Sequence, residues 1–127
     1  MCLGDVGSGQ IAKAANQVIL GLTIGAIAEA FALARDGGAE LDKVWQALSG
    51  GFADSRILQL HGRRMIEESY EPGGTAVTQH KDLVQALTFA ETTRTNLPAT
   101  KLCRDLYKKL IDQNDGHLDH SALFRIY

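Results

Sequence analysis

The stretch QIAKAANQVILGLTIGAIAEAFALAR, Gln10 to Arg35, decides the fold. It holds no proline, and alanine, leucine and isoleucine dominate it. As one helix rising ~1.5 Å per residue it would span nearly 40 Å, more than twice the length of an ordinary globular helix of ~11–12 residues. From Val18 to Ala34 it is apolar on almost every face, with Gln17, Glu29 and Arg35 as the nearest strongly polar breaks. A helix apolar all round is either the central helix of a bundle or a membrane span of ~20 residues. Gly21, Thr23, Gly25 and Glu29, and the lack of a flanking basic loop, favour the bundle. Small residues at 21, 25, 26, 28 and 30 would let neighbouring helices approach closely, and a second subunit is expected to cover part of the remaining apolar surface.

Further along the chain the pattern stays helical. Asp36-Gly37-Gly38 predicts a left-handed glycine stop. Leu41 to Leu48 reads as a short helix that turns Val44, Trp45 and Leu48 inward, and Ser49-Gly50-Gly51 breaks it. Asp54 or Ser55 can cap a third helix running to about Ser69. Glu71 to Gln79, EPGGTAVTQ, reads as a loop, because its β-branched TAVT is too short to found a sheet. A fourth helix is expected over His80–Arg94, and a fifth from Pro98, well placed in a first turn, to about Asp112. QNDGHLD reads as a turn, after which Asp119 can cap a last short helix. The fold class expected is all-α: one domain over 1–127, a bundle of five to seven helices around one long helix.

Composition narrows function by exclusion. With 45% hydrophobic and 22% charged residues the chain reads as a soluble globular domain. A net charge of −2 and a pI near 6.0 offer nucleic acid no basic surface, and no membrane partner is expected. Cys2 and Cys103 form neither a metal spacing nor a disulfide framework, so a reducing, cytoplasmic setting is expected. Cys103 reads as a small core residue and Trp45 as core or interface. The histidines at 61, 80, 117 and 120 show no metal spacing; His117 and His120 fall in an acidic turn that reads as solvated. No metal site is expected.

The segment before the long helix, GDVGSGQIAKAAN, tempts a phosphate-loop reading. Its glycines stand as Gly4-x-x-Gly7-x-Gly9, the reverse of a dinucleotide fingerprint, with no strand before them. Gln10 stands where a Walker A loop needs lysine. The glycines therefore read as a flexible hinge into the first helix. The chemistry lies one turn on. Lys13, Asn16 and Gln17 stand at i, i+3 and i+4, on one helix face. Past Gln10 they are the only strongly polar groups on this helix before Glu29. Such a lysine either snorkels to water or serves as a general acid/base beside amides that hold an oxygen-rich substrate.

GDVGSGQIAKAANQ resembles the start of the C-terminal domain of the β-hydroxyacid dehydrogenases, whose pattern Gly-x-x-Gly-x-Gly, three residues, then lysine puts the family's catalytic lysine on Lys13. The resemblance continues in order through EAFALARDGG, SGGFADS, HKDL and DHSAL, and so covers essentially the whole chain. KAANQ and GGFADS are most similar to the branch that reduces tartronate semialdehyde (2-hydroxy-3-oxopropionate); the 3-hydroxyisobutyrate dehydrogenases are the alternative, and a non-catalytic helical dimerisation module is the rival of another class. The resemblance implies an NAD- or NADP-dependent oxidoreductase of a small carboxylated aldehyde or hydroxy acid. Lys13 would be catalytic and Asn16 and Gln17 substrate-binding, while Lys81 and Asp82 would contact the cofactor, Asp82 pairing with Lys81. Ser55, Gly50 and Gly51 would border the site. It further implies an N-terminal Rossmann domain, absent from these 127 residues, that holds most of the cofactor, so that the sequence begins near an inter-domain hinge and is inactive alone, and a homo-oligomer. Two positions depart from the family pattern. Gln17 stands where many members have asparagine, and Gly74 stands where the loop before Lys81-Asp82 often carries an aromatic residue.

Overall fold

The computed structural model describes residues 6–127. The long helix, α1, covers Val6–Asp36, 31 residues. It begins earlier than the hinge reading allows. Gly7 and Gly9 lie inside its first turns, held by continuous α-helical bonding, and Gly9 has open space where a side chain would stand. Gly4 and Cys2 lie outside the described residues. At the other end Gly38 takes φ +89° and the amides of Gly38 and Ala39 bond back to the carbonyls of Arg35 and Ala34, a Schellman stop.

α1 is long and apolar enough to cross a membrane by length and composition alone, yet it is not buried evenly. Ile24, Ile27, Ala28, Phe31 and Ala32 form the centre of the core, whereas Ile11, Ile19 and Leu33 stand out in water. The buried half is crossed by α4 (Ala76–Thr93), α5 (Pro98–Leu110) and a closing 3₁₀ helix, His120–Ile126. Phe31 meets Phe124 of that closing helix edge to face, with ring centres 6.4 Å apart. α2, Leu41–Leu48, matches its predicted bounds and packs from outside, the Trp45 indole donating to the Leu58 carbonyl. The third predicted helix is interrupted. Ser55, not Asp54, caps it by accepting from the Leu58 amide at 2.9 Å, then a widened π turn covers Leu58–Gly62 before α3, Arg63–Glu67.

α4 starts four residues before the expected His80. Thr75 is its cap, accepting from the Thr78 amide. The next donors, Ala76 and Val77, find the carbonyls of Leu118 and Gly116. The expectation of a loop through Gln79 failed because those acceptors come from a segment 40 residues away. Another π turn, Ile111–Asp115, with Asn114 at φ +67°, carries α5 into the QNDG turn. Among the described residues there is no strand, only one isolated antiparallel bridge between Thr75 and Asp119.

Asp119 organises this end of the bundle. It caps the closing helix as predicted, but from a fully buried position. One carboxylate oxygen, Oδ2, accepts from the amide and hydroxyl of Ser121; the other accepts from the Gly73 and Gly74 amides and pairs with Arg64 at 3.0 Å. Burial alone would raise its carboxyl, but the Ser121 and Gly73 hydrogen bonds outweigh it and hold the group below the ordinary carboxylate range. Removing a buried carboxylate leaves these donors and the Arg64 charge uncompensated. Asp119→Ala should therefore lower unfolding free energy by about 3 kcal/mol or more, read from denaturant titration; a loss below about 1 kcal/mol would remove Asp119 from this role.

Candidate active site

Lys13 stands three turns before the core half of α1, on the face turned toward α4. Helical spacing carries Gln10, Ala14 and Gln17 to the same side. The antiparallel α4 answers with Asp82, Gln85, Ala86 and Phe89. Between the two helices lies an open groove of about 560 Å³, lined by these residues together with Thr88 and Thr92. Its walls are amide, hydroxyl and apolar, with one cation, Lys13, and one anion, Asp82. The two charges are on opposite helices, and Gln17 spans the gap, its amide nitrogen donating to Asp82 Oδ2 at 2.6 Å. The Asn16 amide in turn donates to Gln17 Oε1 at 3.3 Å.

Three of the residues singled out in the sequence, Lys13, Gln17 and Asp82, thus converge. Asn16 touches them from the exposed side and does not line the groove. Lys81 is exposed and lines no part of it. The expected Lys81–Asp82 pair does not form among the described residues; adjacent helical residues diverge by about 100°, and Gln17 is nearer to Asp82's face. Ser55, Gly50 and Gly51 do not border the groove either. Ser55 is a helix cap, and Gly50, at φ +84°, gives its amide to Asp54. Gln85 and Phe89, one and two turns beyond Asp82, and Gln10, one turn before Lys13, were legible as neighbours from the helical period.

Behind α4 the structure gathers a second set of polar residues. His120, expected in a solvated turn, is buried, as are His61 and Gln79. His120 Nδ1 meets Gln79 Oε1 at 3.1 Å, and the His61 ring stacks edge-on against it at 4.6 Å. His61 Nδ1 lies 3.7 Å from Asp119 Oδ2. His61, Asp119 and His120 together have metal-binding atoms within 4.8 Å of one another. Asp119 is engaged by protein donors on both oxygens, however, and Arg64 places a positive charge against it, a poor host for a cation. His117 is exposed and takes no part. Cys103 is buried in the core as expected, its thiol pushed up to about 11 by desolvation.

The comparisons agree with this architecture. The family described as "NAD-binding of NADP-dependent 3-hydroxyisobutyrate dehydrogenase" matches residues 7–127, and the chain belongs to that family. It is 45% identical over 121 residues to the 2-hydroxy-3-oxopropionate reductase of Escherichia coli (strain K12), covering 95% of this chain and 41% of that protein. Its fold matches a crystal structure of 3-hydroxyisobutyrate dehydrogenase from Salmonella typhimurium with a TM-score of 0.91 at 26% identity, over 95% of this chain and 42% of that one. It also matches a 3-hydroxyisobutyrate dehydrogenase of Mycobacterium tuberculosis, solved with L-serine, with a TM-score of 0.88 at 25% identity over 99% and 45%. The chain therefore spans about two-fifths of the length of these oxidoreductase relatives.

The buried histidines make stability depend on pH. Burial, then the neighbouring His120, lowers His61 from 6.5 to about 4, Asp119 opposing and Arg64 assisting. His120 is lowered as well, first by burial. Between pH 6.5 and 4 the unfolded chain binds the proton that folded His61 refuses, so stability is full above pH 6.5 and falls as pH drops through 4. The His61 share is about 3 kcal/mol. Thermal midpoints should fall between pH 7 and 4.5, and His61→Gln should flatten that slope; an equal slope in the variant would exclude His61 as its source.

Proposed function

We propose that this chain is the C-terminal domain of an NAD(P)-dependent β-hydroxyacid dehydrogenase that reduces 2-hydroxy-3-oxopropionate (tartronate semialdehyde), with Lys13 as general acid/base. The observation that carries the reading is the single groove shared by Lys13, Gln17 and Asp82, in which two motifs 65 residues apart are joined at 2.6 Å. The 45% identity to the Escherichia coli reductase supports this substrate over 3-hydroxyisobutyrate.

The groove suits one end of a dinucleotide. Its amides and carboxylate can hydrogen-bond a carboxamide, but its one cation does not answer a pyrophosphate. A Rossmann domain preceding this one would hold the rest of the cofactor. When bound, NAD(P)H supplies the hydride. The ammonium of Lys13 gives its proton to the carbonyl oxygen as charge develops there, and takes one back in the oxidative direction. The second N–H of the Gln17 amide is a donor for a carboxylate or hydroxyl oxygen of a short substrate, and Asn16, outside the groove, would act by holding Gln17 Oε1. Asp82 holds the Gln17 amide, and Lys81, exposed outside the groove, would meet the cofactor only from the side of a preceding domain. In the full-length protein, Lys13→Ala should lower turnover of tartronate semialdehyde by about 10²-fold or more while leaving the melting temperature within a few degrees. Undiminished turnover would remove Lys13 from the chemistry.

A specific observation also favours a role in assembly. Ile11, Ile19 and Leu33 are 53%, 62% and 78% exposed, and with Ala15, Leu22, Ala26 and Ala30 they recur every three or four residues along one side of α1. Such a stripe is wide enough to bury against a second copy. The chain should sediment as a dimer or larger, and Ile19→Lys should yield monomer. A wild-type monomer at high concentration in light scattering would refute the homo-oligomer.

A further inference from the structure

Lys13, Gln17 and Asp82 meet only if α1 and α4 hold a fixed separation. One turn inward from the Gln17–Asp82 bond, α1 presents Gly21 to Gln79 and Leu83 of α4. A Cβ placed on Gly21 would lie 2.9 Å from Gln79 Nε2 and 3.0 Å from Leu83 Cδ2, closer than side-chain carbons are found. Both opposing atoms end flexible side chains, so an added Cβ would force buried side chains to shift. Gln79 is 2% exposed and Leu83 fully buried. Gln79 is moreover tied through Oε1 to His120, whose ring is wedged between His61 and the backbone of Gly74. From the other side Cys103 Sγ of α5 donates to the Gly21 carbonyl at 3.3 Å, so α5 packs against the same turn of α1.

Gln79 itself is costly where it stands. Its Nε2 is buried and has no acceptor among the described residues, an unfavourable state for an amide. Leucine at that position would avoid the cost.

We infer that Gly21 is a positioning residue for the groove: its bare backbone seats Gln79 and Leu83, and that seating sets the distance at which Gln17 reaches Asp82 beside Lys13. The inference rests on the groove being the active site only for its kinetic consequence, since the seating itself is readable without turnover.

The test compares wild type, Gly21→Ala, Gln79→Ala and the double variant in the full-length protein. Two quantities are read. The first is turnover of tartronate semialdehyde, split into kcat and KM. The second is the Gln17 side-chain amide signal in a ¹H–¹⁵N spectrum, which reports the bond to Asp82 without catalysis. Gly21→Ala should shift the Gln17 amide toward solvent-exposed values and lower kcat about ten- to a hundred-fold, with KM changed far less. The double variant, in which the clash with Gln79 is removed and that with Leu83 remains, should lose less relative to Gln79→Ala than Gly21→Ala loses relative to wild type, because the two changes are coupled. If Gly21→Ala does not fold, the double variant still decides, since independent effects would leave it far below Gln79→Ala. An unchanged amide signal and kcat in Gly21→Ala, or independent effects in the double variant, would overturn the inference. A wild type without turnover, but with the amide response intact, would overturn the proposed reaction and leave the positioning role standing.

Discussion

The Asp119 carboxylate is the interaction on which this fold depends. It is fully buried, and both oxygens are engaged by amides, a hydroxyl and a guanidinium. Through Gly73 and Gly74 it fixes the loop that leads into α4. Through Ser121 it starts the closing helix, which then sends Phe124 onto Phe31 and leaves the His120 carbonyl to Tyr107 at 2.9 Å. The neighbouring carbonyls of Gly116 and Leu118 serve the first donors of α4. One buried charge therefore ties the chain's last residues to the helix that carries half of the candidate site.

α1 divides its length between two tasks for a simple reason. The bundle is shorter than the helix. Where α4, α5 and the closing helix cross it, isoleucine and phenylalanine are buried and glycines admit close contacts. Toward the N-terminus α4 lines the groove beside it, and polar side chains face that groove. The same helix thus anchors Lys13 to a packed core while holding it at an open groove, the placement that the proposed general acid/base role needs.

Much of this was legible in the sequence. The 3.6-residue period and the lack of proline read directly as helices, and Gly38, Ser55, Pro98 and Asp119 marked their ends because caps act locally. Lys13 and Gln17 share a face by spacing alone. The misreadings have one origin. Gly7 and Gly9 signal a hinge in isolation, but a long helix can carry them at about 1 kcal/mol each. Thr75–Gln79 reads as a loop until distant carbonyls satisfy its amides. His120 reads as solvated until the chain folds back over it.

The sequence by itself therefore determined the all-α class, the helix ends set by local capping, and the face on which Lys13 stands. These depend on neighbours within four residues. The tertiary structure decided which residues join that face, because Gln17 with Asp82, Gly21 with Gln79, and Asp119 with Gly73 are pairs brought together across tens of residues by the packing of α4 and the closing helix on α1. No local pattern specifies a distance between helices; the small residue at their crossing and the buried carboxylate behind it do.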